Sequence, residues 1–139
     1  MDELVDDGMC FACGSRNPIG LGLRFEPQGE EIVAEFLPRD CHQGYRGIVH
    51  GGILSTLLDE VMAHVLMQQG KHALTIDMEV HFKRVARIGE RLQIKGRLLR
   101  ERGRILELEA EAWGEDKKLV ASATGKWIRI VPLRSGSRE

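Results

Sequence analysis

His42-Gln43-Gly44-Tyr45-Arg46-Gly47-Ile48-Val49-His50-Gly51-Gly52, continuing through Ile53 to Gly70, is the stretch in which turn chemistry, helix chemistry and ionisable side chains coincide. Gly44, Gly47, Gly51 and Gly52 supply main chain without Cβ atoms, so a ligand can approach backbone N–H groups closely. A helical pattern begins directly afterwards. Leu54, Leu57, Leu58, Val61, Met62 and Val65 recur at steps of three and four, the spacing of one buried helix face. Gly70 is a natural stop. The predicted helix is about 18–19 residues long, hence roughly 28 Å at about 1.5 Å per residue, enough to cross a sheet.

Two acids interrupt that helix. Helical geometry sets Asp59 beside Ser55, Met62 and Leu66, and Glu60 beside Thr56, Ala63 and His64, so Asp59 is the more apolar-flanked. An acid on a helix is by default a solvated surface group. Nine residues separate His50 from Asp59, about 13 Å along a straight helix. They cannot touch on one helix, so a site using both needs a loop that folds back or a second chain. That spacing favours a homo-oligomer.

Outward from the helix, Leu21 to Phe25 and Glu31 to Leu37 read as short strands joined across Pro27-Gln28-Gly29, with Pro38 ending the second. Downstream, Thr75 to Phe82 alternates, with Ile76, Met78, Val80 and Phe82 on one face and Thr75, Asp77, Glu79 and His81 on the other. Leu92, Ile94 and Leu98 form one arm of a hairpin that turns near Gly103, and Leu106, Leu108, Ala110 and Ala112 form the second. A turn at Gly114-Glu115-Asp116 leads to a last strand over 118–130. This order predicts an α+β fold, one domain over residues 1–139, with one long helix lying across a curled antiparallel sheet. Residues 1–9 and 133–139 carry no period and are expected to be flexible.

The 139 residues suffice for one hydrophobic core. Twenty basic and twenty-one acidic residues leave a net charge of −1, so no global field draws the chain to nucleic acid or to an anionic membrane. The apolar runs are short, and Met-Asp-Glu opens neither a basic nor an apolar leader, so a cytoplasmic location away from membranes is expected. Three cysteines fit reduced thiols better than a disulfide framework. Cys10 and Cys13 form a CxxC pair, but a metal needs about four ligands and the candidates in sequence, Cys41 and His42, stand far along the chain. No metal is expected there, and Cys10-Phe11-Ala12-Cys13-Gly14 reads as a tight turn.

His50-Gly51-Gly52 with an acid nine residues after the histidine resembles the hotdog-fold acyl-CoA thioesterases of the phenylacetate-pathway type. Cys10 to Gly14, Asn17-Pro18-Ile19-Gly20-Leu21 and Thr75-Ile76-Asp77-Met78-Glu79-Val80 extend the likeness over most of the chain. The resemblance implies a sheet wrapped around a central helix and hydrolysis of an acyl-CoA thioester without a cofactor, in a dimer or a dimer of dimers. It assigns Asp59 as nucleophile or general base and the Gly51 N–H as the donor that polarises the thioester carbonyl. His50 orients the loop, Gly52 flanks the site, and Thr75 positions the attacking water. Many relatives carry Asn or Gln six residues before that histidine. Gly44 stands there in this chain, with Gln43 beside it as the candidate substitute. Lys83, Arg84 and Arg87 form a basic patch suited to the phosphates of coenzyme A. Rival readings are a hotdog dehydratase or hydratase of 3-hydroxyacyl thioesters and a non-enzymatic acyl-CoA-binding protein.

Overall fold

A computed structural model describes residues 4–130. The expected flexible tail at 133–139 lies outside them, as do residues 1–3. One long helix, α1 (Gly51–Gln68), is followed by the longer strands of a six-stranded sheet. The strands are β1 (Glu26–Gln28), β2 (Glu31–Phe36), β3 (Ala73–Phe82), β4 (Leu92–Arg102), β5 (Ile105–Trp113) and β6 (Leu119–Arg129). They lie in the order β1-β2-β4-β5-β6-β3, each neighbour antiparallel. This is the hotdog arrangement, with α1 against one face of the sheet.

The helix is buried along Leu54, Leu57, Leu58, Val61, Met62, Val65 and Leu66, the face that its three- and four-residue spacing defines. Gly70, at φ +73°, ends it in the left-handed region, and Lys71 N–H closes back onto the Leu66 carbonyl. Pairing shows how the sheet receives the helix. Ile32 lies opposite Gly96, Gly96 opposite Ala110, Ala110 opposite Ala123 and Ala123 opposite Val80, one row across five strands. The row is bulky at its ends and small in its middle, which leaves a trough. A Cβ on Gly96 would stand 3.1 Å from Val61 Cγ1, and one on Gly125 3.1 Å from Met62 Cε, so both glycines admit the helix at close range.

Two local expectations change. The segment Leu21 to Phe25 is not a strand, because its backbone is claimed by the cysteine turn: Leu21 N–H donates to the Phe11 carbonyl and Leu23 N–H to the Ala12 carbonyl. The strand before the Gly29 turn is instead the short β1. In β3, strict alternation fails at Ile76. Thr75 pairs with Trp127 but Asp77 with Lys126, a bulge with Ile76 as the extra residue.

Candidate active site

A helix begins with N–H groups that have no partner one turn back, and those of α1 can be accounted for one by one. His50 is the N-cap. Its Nδ1 accepts from Gly52 N–H at 2.8 Å, and its carbonyl accepts from Ile53 and Leu54 N–H. Gly51 N–H is left with no acceptor among the described residues, on an exposed residue at the positive end of the helix. The loop before it is held in shape: His50 N–H donates to the His42 carbonyl, Gly44 N–H to Ile48, and Val49 N–H to Ala86. Gly52 has a steric reason as well, since a Cβ there would lie 3.0 Å from His50 Nδ1.

Two turns along, Asp59 is half-buried and its Oδ1 accepts from the Thr75 hydroxyl at 2.9 Å. Burial pushes its carboxyl above the ordinary aspartate value; the Thr75 hydroxyl opposes that shift and the neighbouring Glu60 charge adds to it. The bulge explains how Thr75 reaches the helix. Simple alternation puts Thr75 on the face opposite Met78 and Val80. The extra residue Ile76 shifts the phase, so Thr75 lies across from buried Trp127 on the helix-facing side, and Ile76 is left exposed. The sequence signal for Thr75 was its match to the family position, since periodicity pointed the other way.

Gly51 and Asp59 do not meet within one chain: eight residues of α1 separate them, about 12 Å along the axis. Gly51 stands beside the far end of β3, where a Cβ on it would lie 3.6 Å from the Phe82 ring, and Asp59 beside the near end at Thr75. The outer edge of β3 has no strand partner among the described residues. Leu74, Ile76 and Phe82 are exposed along it.

The remaining expected site residues divide by their partners. Gln43 is committed to the loop, its Oε1 accepting from Gly47 N–H at 3.0 Å. Arg84 differs from the expectation of a phosphate ligand. Its guanidinium makes a two-pronged pair with Glu90, at 2.7 and 3.2 Å, and reaches Asp116 Oδ1 at 2.8 Å and the Val85 carbonyl at 2.8 Å. Those bonds to Glu90, followed by Asp116, hold its own pKa above the usual arginine value. Gly114 has no Cβ because one would run into this cluster. Lys83 and Arg87 are exposed and make no ion pair among the described residues.

Sequence reasoning missed two features. An apolar cavity of about 760 Å³ opens beside Glu60 and Leu74, between residues 4–9 and the second half of α1; Met9, Ala63, Leu66 and Met67 line it. The signal was invisible because residues 4–9 carry no period. The second is a candidate donor beside Cys10 and Cys13, where the sequence offered only the distant Cys41 and His42. The fold brings Glu60 to them, all three donor atoms lying within 4.8 Å of one another, although Glu60 is 50 residues from Cys10 in the chain.

A helix laid in a curled antiparallel sheet defines a hotdog-fold protein, here with an uncommitted N–H at the helix start and a carboxylate two turns on. The thioesterase superfamily model matches residues 46–121, and the chain belongs to that superfamily. It is 29% identical to bovine (Bos taurus) acyl-coenzyme A thioesterase THEM4, over 98% of this chain and 57% of that protein. It is 28% identical to mouse (Mus musculus) acyl-coenzyme A thioesterase 13, over 52% of this chain and 53% of the relative. The chain thus spans little more than half the length of each. Among solved structures, a point mutant of the phenylacetic acid degradation protein PaaI from Thermus thermophilus superposes with a TM-score of 0.72 at 27% identity. That match covers 79% of this chain and 95% of that one. No helix among the described residues is long and apolar enough to cross a membrane.

Proposed function

We propose that the chain hydrolyses an acyl-CoA thioester to the free acid and coenzyme A, without a cofactor, in a site completed by a second copy. The observation that carries this reading is the lone uncommitted Gly51 N–H at the start of α1. A thioester oxygen placed there receives a hydrogen bond aligned with the helix dipole, and the bond strengthens as negative charge develops on that oxygen. Asp59 attacks the carbonyl carbon or takes a proton from the attacking water, and the Thr75 hydroxyl fixes the carboxylate or the water. His50 holds the donor in place through its cap.

The open edge of β3 supports the second copy. Antiparallel pairing of two β3 strands about a two-fold axis between Met78 and Glu79 would set Thr75 of one chain across from Phe82 of the other. Asp59, beside Thr75, would then face the Gly51 end of the second copy across that seam. The same pairing would cover exposed Ile76 and Phe82. The 760 Å³ cavity next to Glu60 suits the acyl group. Lys83 and Arg87 suit the nucleotide phosphates. The curated relatives' name, acyl-coenzyme A thioesterase, agrees with this substrate class.

The direct test is release of free thiol from a panel of short-chain, long-chain and aromatic acyl-CoA esters. Hydrolysis of at least one of them, abolished by Asp59→Asn, is the expected result. Hydrolysis that survives Asp59→Asn would remove Asp59 from the mechanism.

A further inference from the structure

From the cluster beneath the amino-terminal turn we infer that Cys10, Cys13 and Glu60 hold a zinc ion that clasps the amino-terminal segment to α1, with His64 orienting Glu60 and a water closing the shell. Three strands of geometry meet here. First, the cysteines lie on a turn shaped like a metal knuckle: Cys13 N–H donates to Cys10 Sγ at 3.4 Å and Gly14 N–H to the Cys10 carbonyl at 2.8 Å. Gly14 packs so closely on Cys10 and Gly8 backbone that no Cβ fits. The Cys13 N–H is thus aimed at the Cys10 sulfur, the direction from which a metal-bound thiolate accepts. Second, α1 brings Glu60 to both sulfurs, the three donor atoms lying within 4.8 Å of one another, and His64 sits one turn along the helix from Glu60. Cys10 Sγ lies 3.6 Å from Glu60 Oε2, and His64 Nε2 lies 3.2 Å from that same oxygen. A tetrahedral zinc with bonds of about 2.3 Å to sulfur and about 2.0–2.1 Å to nitrogen or oxygen sets neighbouring donors roughly 3.3–3.8 Å apart. The Cys10–Glu60 distance falls within that spacing.

Third, His64 stands behind Glu60. Its ring stacks on Phe25 with centroids 3.9 Å apart, and its buried Nε2 lies 3.2 Å from Glu60 Oε2. An imidazole on the far side of a ligating carboxylate orients it toward the metal. We therefore assign His64 to positioning Glu60 and leave the fourth position to water. Two sulfurs and one carboxylate select zinc over magnesium or calcium, which prefer oxygen shells. Zinc binds the sulfurs as thiolates, and their two protons pass to solvent. The clasp would pin the turn on the helix residue next to Asp59, at the wall of the apolar cavity that Cys10, Cys13 and Glu60 also line. Its role is to order the chain over that cavity; it takes no part in hydrolysis.

The test uses the full chain, reduced, loaded with zinc chloride and desalted. Wild type should retain about one zinc per chain, and a chelator should lower its thermal midpoint. Loaded with cobalt(II) instead, it should show the intense visible bands of a tetrahedral centre and a thiolate-to-cobalt charge-transfer band. Cys10→Ser and Cys13→Ser should each lose the metal, Glu60→Gln and His64→Ala should weaken its retention, and Cys41→Ser should change nothing. Wild-type protein that emerges zinc-free with its thiols titratable overturns the proposal, and so does a Cys10–Cys13 disulfide that forms in place of metal binding. Zinc kept by the Cys10→Ser/Cys13→Ser double variant overturns it as well. The decisive measurement is on wild type, so a variant that fails to fold does not shield the idea. The readout is metal content, independent of whether thioesters are cleaved.

Discussion

Gly51 occupies the first helical position, where an N–H has no intrahelical partner and where proline is well tolerated. His50 before it is extended, at φ −61° and ψ 134°, the conformation that a residue preceding proline requires. Gly51→Pro therefore deletes the donor while leaving the helix intact. Turnover should fall by roughly 10²–10³-fold, with the circular dichroism spectrum and thermal midpoint unchanged. A proline variant that hydrolyses at the wild-type rate would assign carbonyl polarisation elsewhere. Asp59→Asn should lower turnover by roughly 10²-fold or more without loss of stability, since burial already works against the charge. Thr75→Ser should retain most of the activity and Thr75→Val little, because only the hydroxyl is used; equal rates for the two would demote Thr75 to a packing residue. Asp59 was legible in the sequence because its register to His50 lies within one helix. The orientation of Thr75 was not, because a one-residue bulge leaves no compositional trace. Nor was the meeting of Glu60 with the cysteines, which depends on a chain reversal no local pattern encodes.

Alternating apolar residues made β4 and β5 readable, for each has one face on the helix and one toward solvent, and the turn at Gly114 placed β6 after them. The trough in that face depends on which residues lie opposite one another, and register appears only when the strands pair. Gly96 faces Val61, a stiff side chain on a helix that cannot retreat, so Gly96→Val should destabilise the protein by about 1–3 kcal/mol, readable in denaturant unfolding. An unchanged midpoint would mean that helix and sheet can move apart. The loop after β3 is tied by charge. The hydrogen bonds from Arg84 hold the Glu90 carboxyl below its ordinary value, against a smaller opposing effect of burial. A depressed carboxyl contributes stability that is present above its unfolded value and lost as pH falls through the folded one. Glu90→Gln should accordingly be less stable than wild type near neutrality, and the two should converge as pH drops below the ordinary glutamate value of about 4.3. A difference that persists in acid would mean the side chain acts through packing.

At the scale of the whole molecule, the nine-residue spacing of His50 and Asp59 calls for a folded-back loop or a second chain, while the surface proposed to meet that chain, the open edge of β3, emerged only with the sheet order. The two-fold pairing makes a prediction that no single-chain site can meet. If each site takes its N–H donor from one chain and its carboxylate from the other, Gly51→Pro and Asp59→Asn homo-oligomers are both inactive because every site lacks one part. In a mixed pair, one site inherits both lesions and the other inherits none. Unfolding the two variants together and refolding them at equal concentration should place half of the chains in mixed pairs, so about a quarter of wild-type turnover returns. Mixing without refolding should restore activity only as fast as the chains exchange, which separates true complementation from a trace of contaminating enzyme. A site built within one chain gives no recovery at any mixing ratio, and sedimentation of a fully active monomer would rule out the shared site by an independent route.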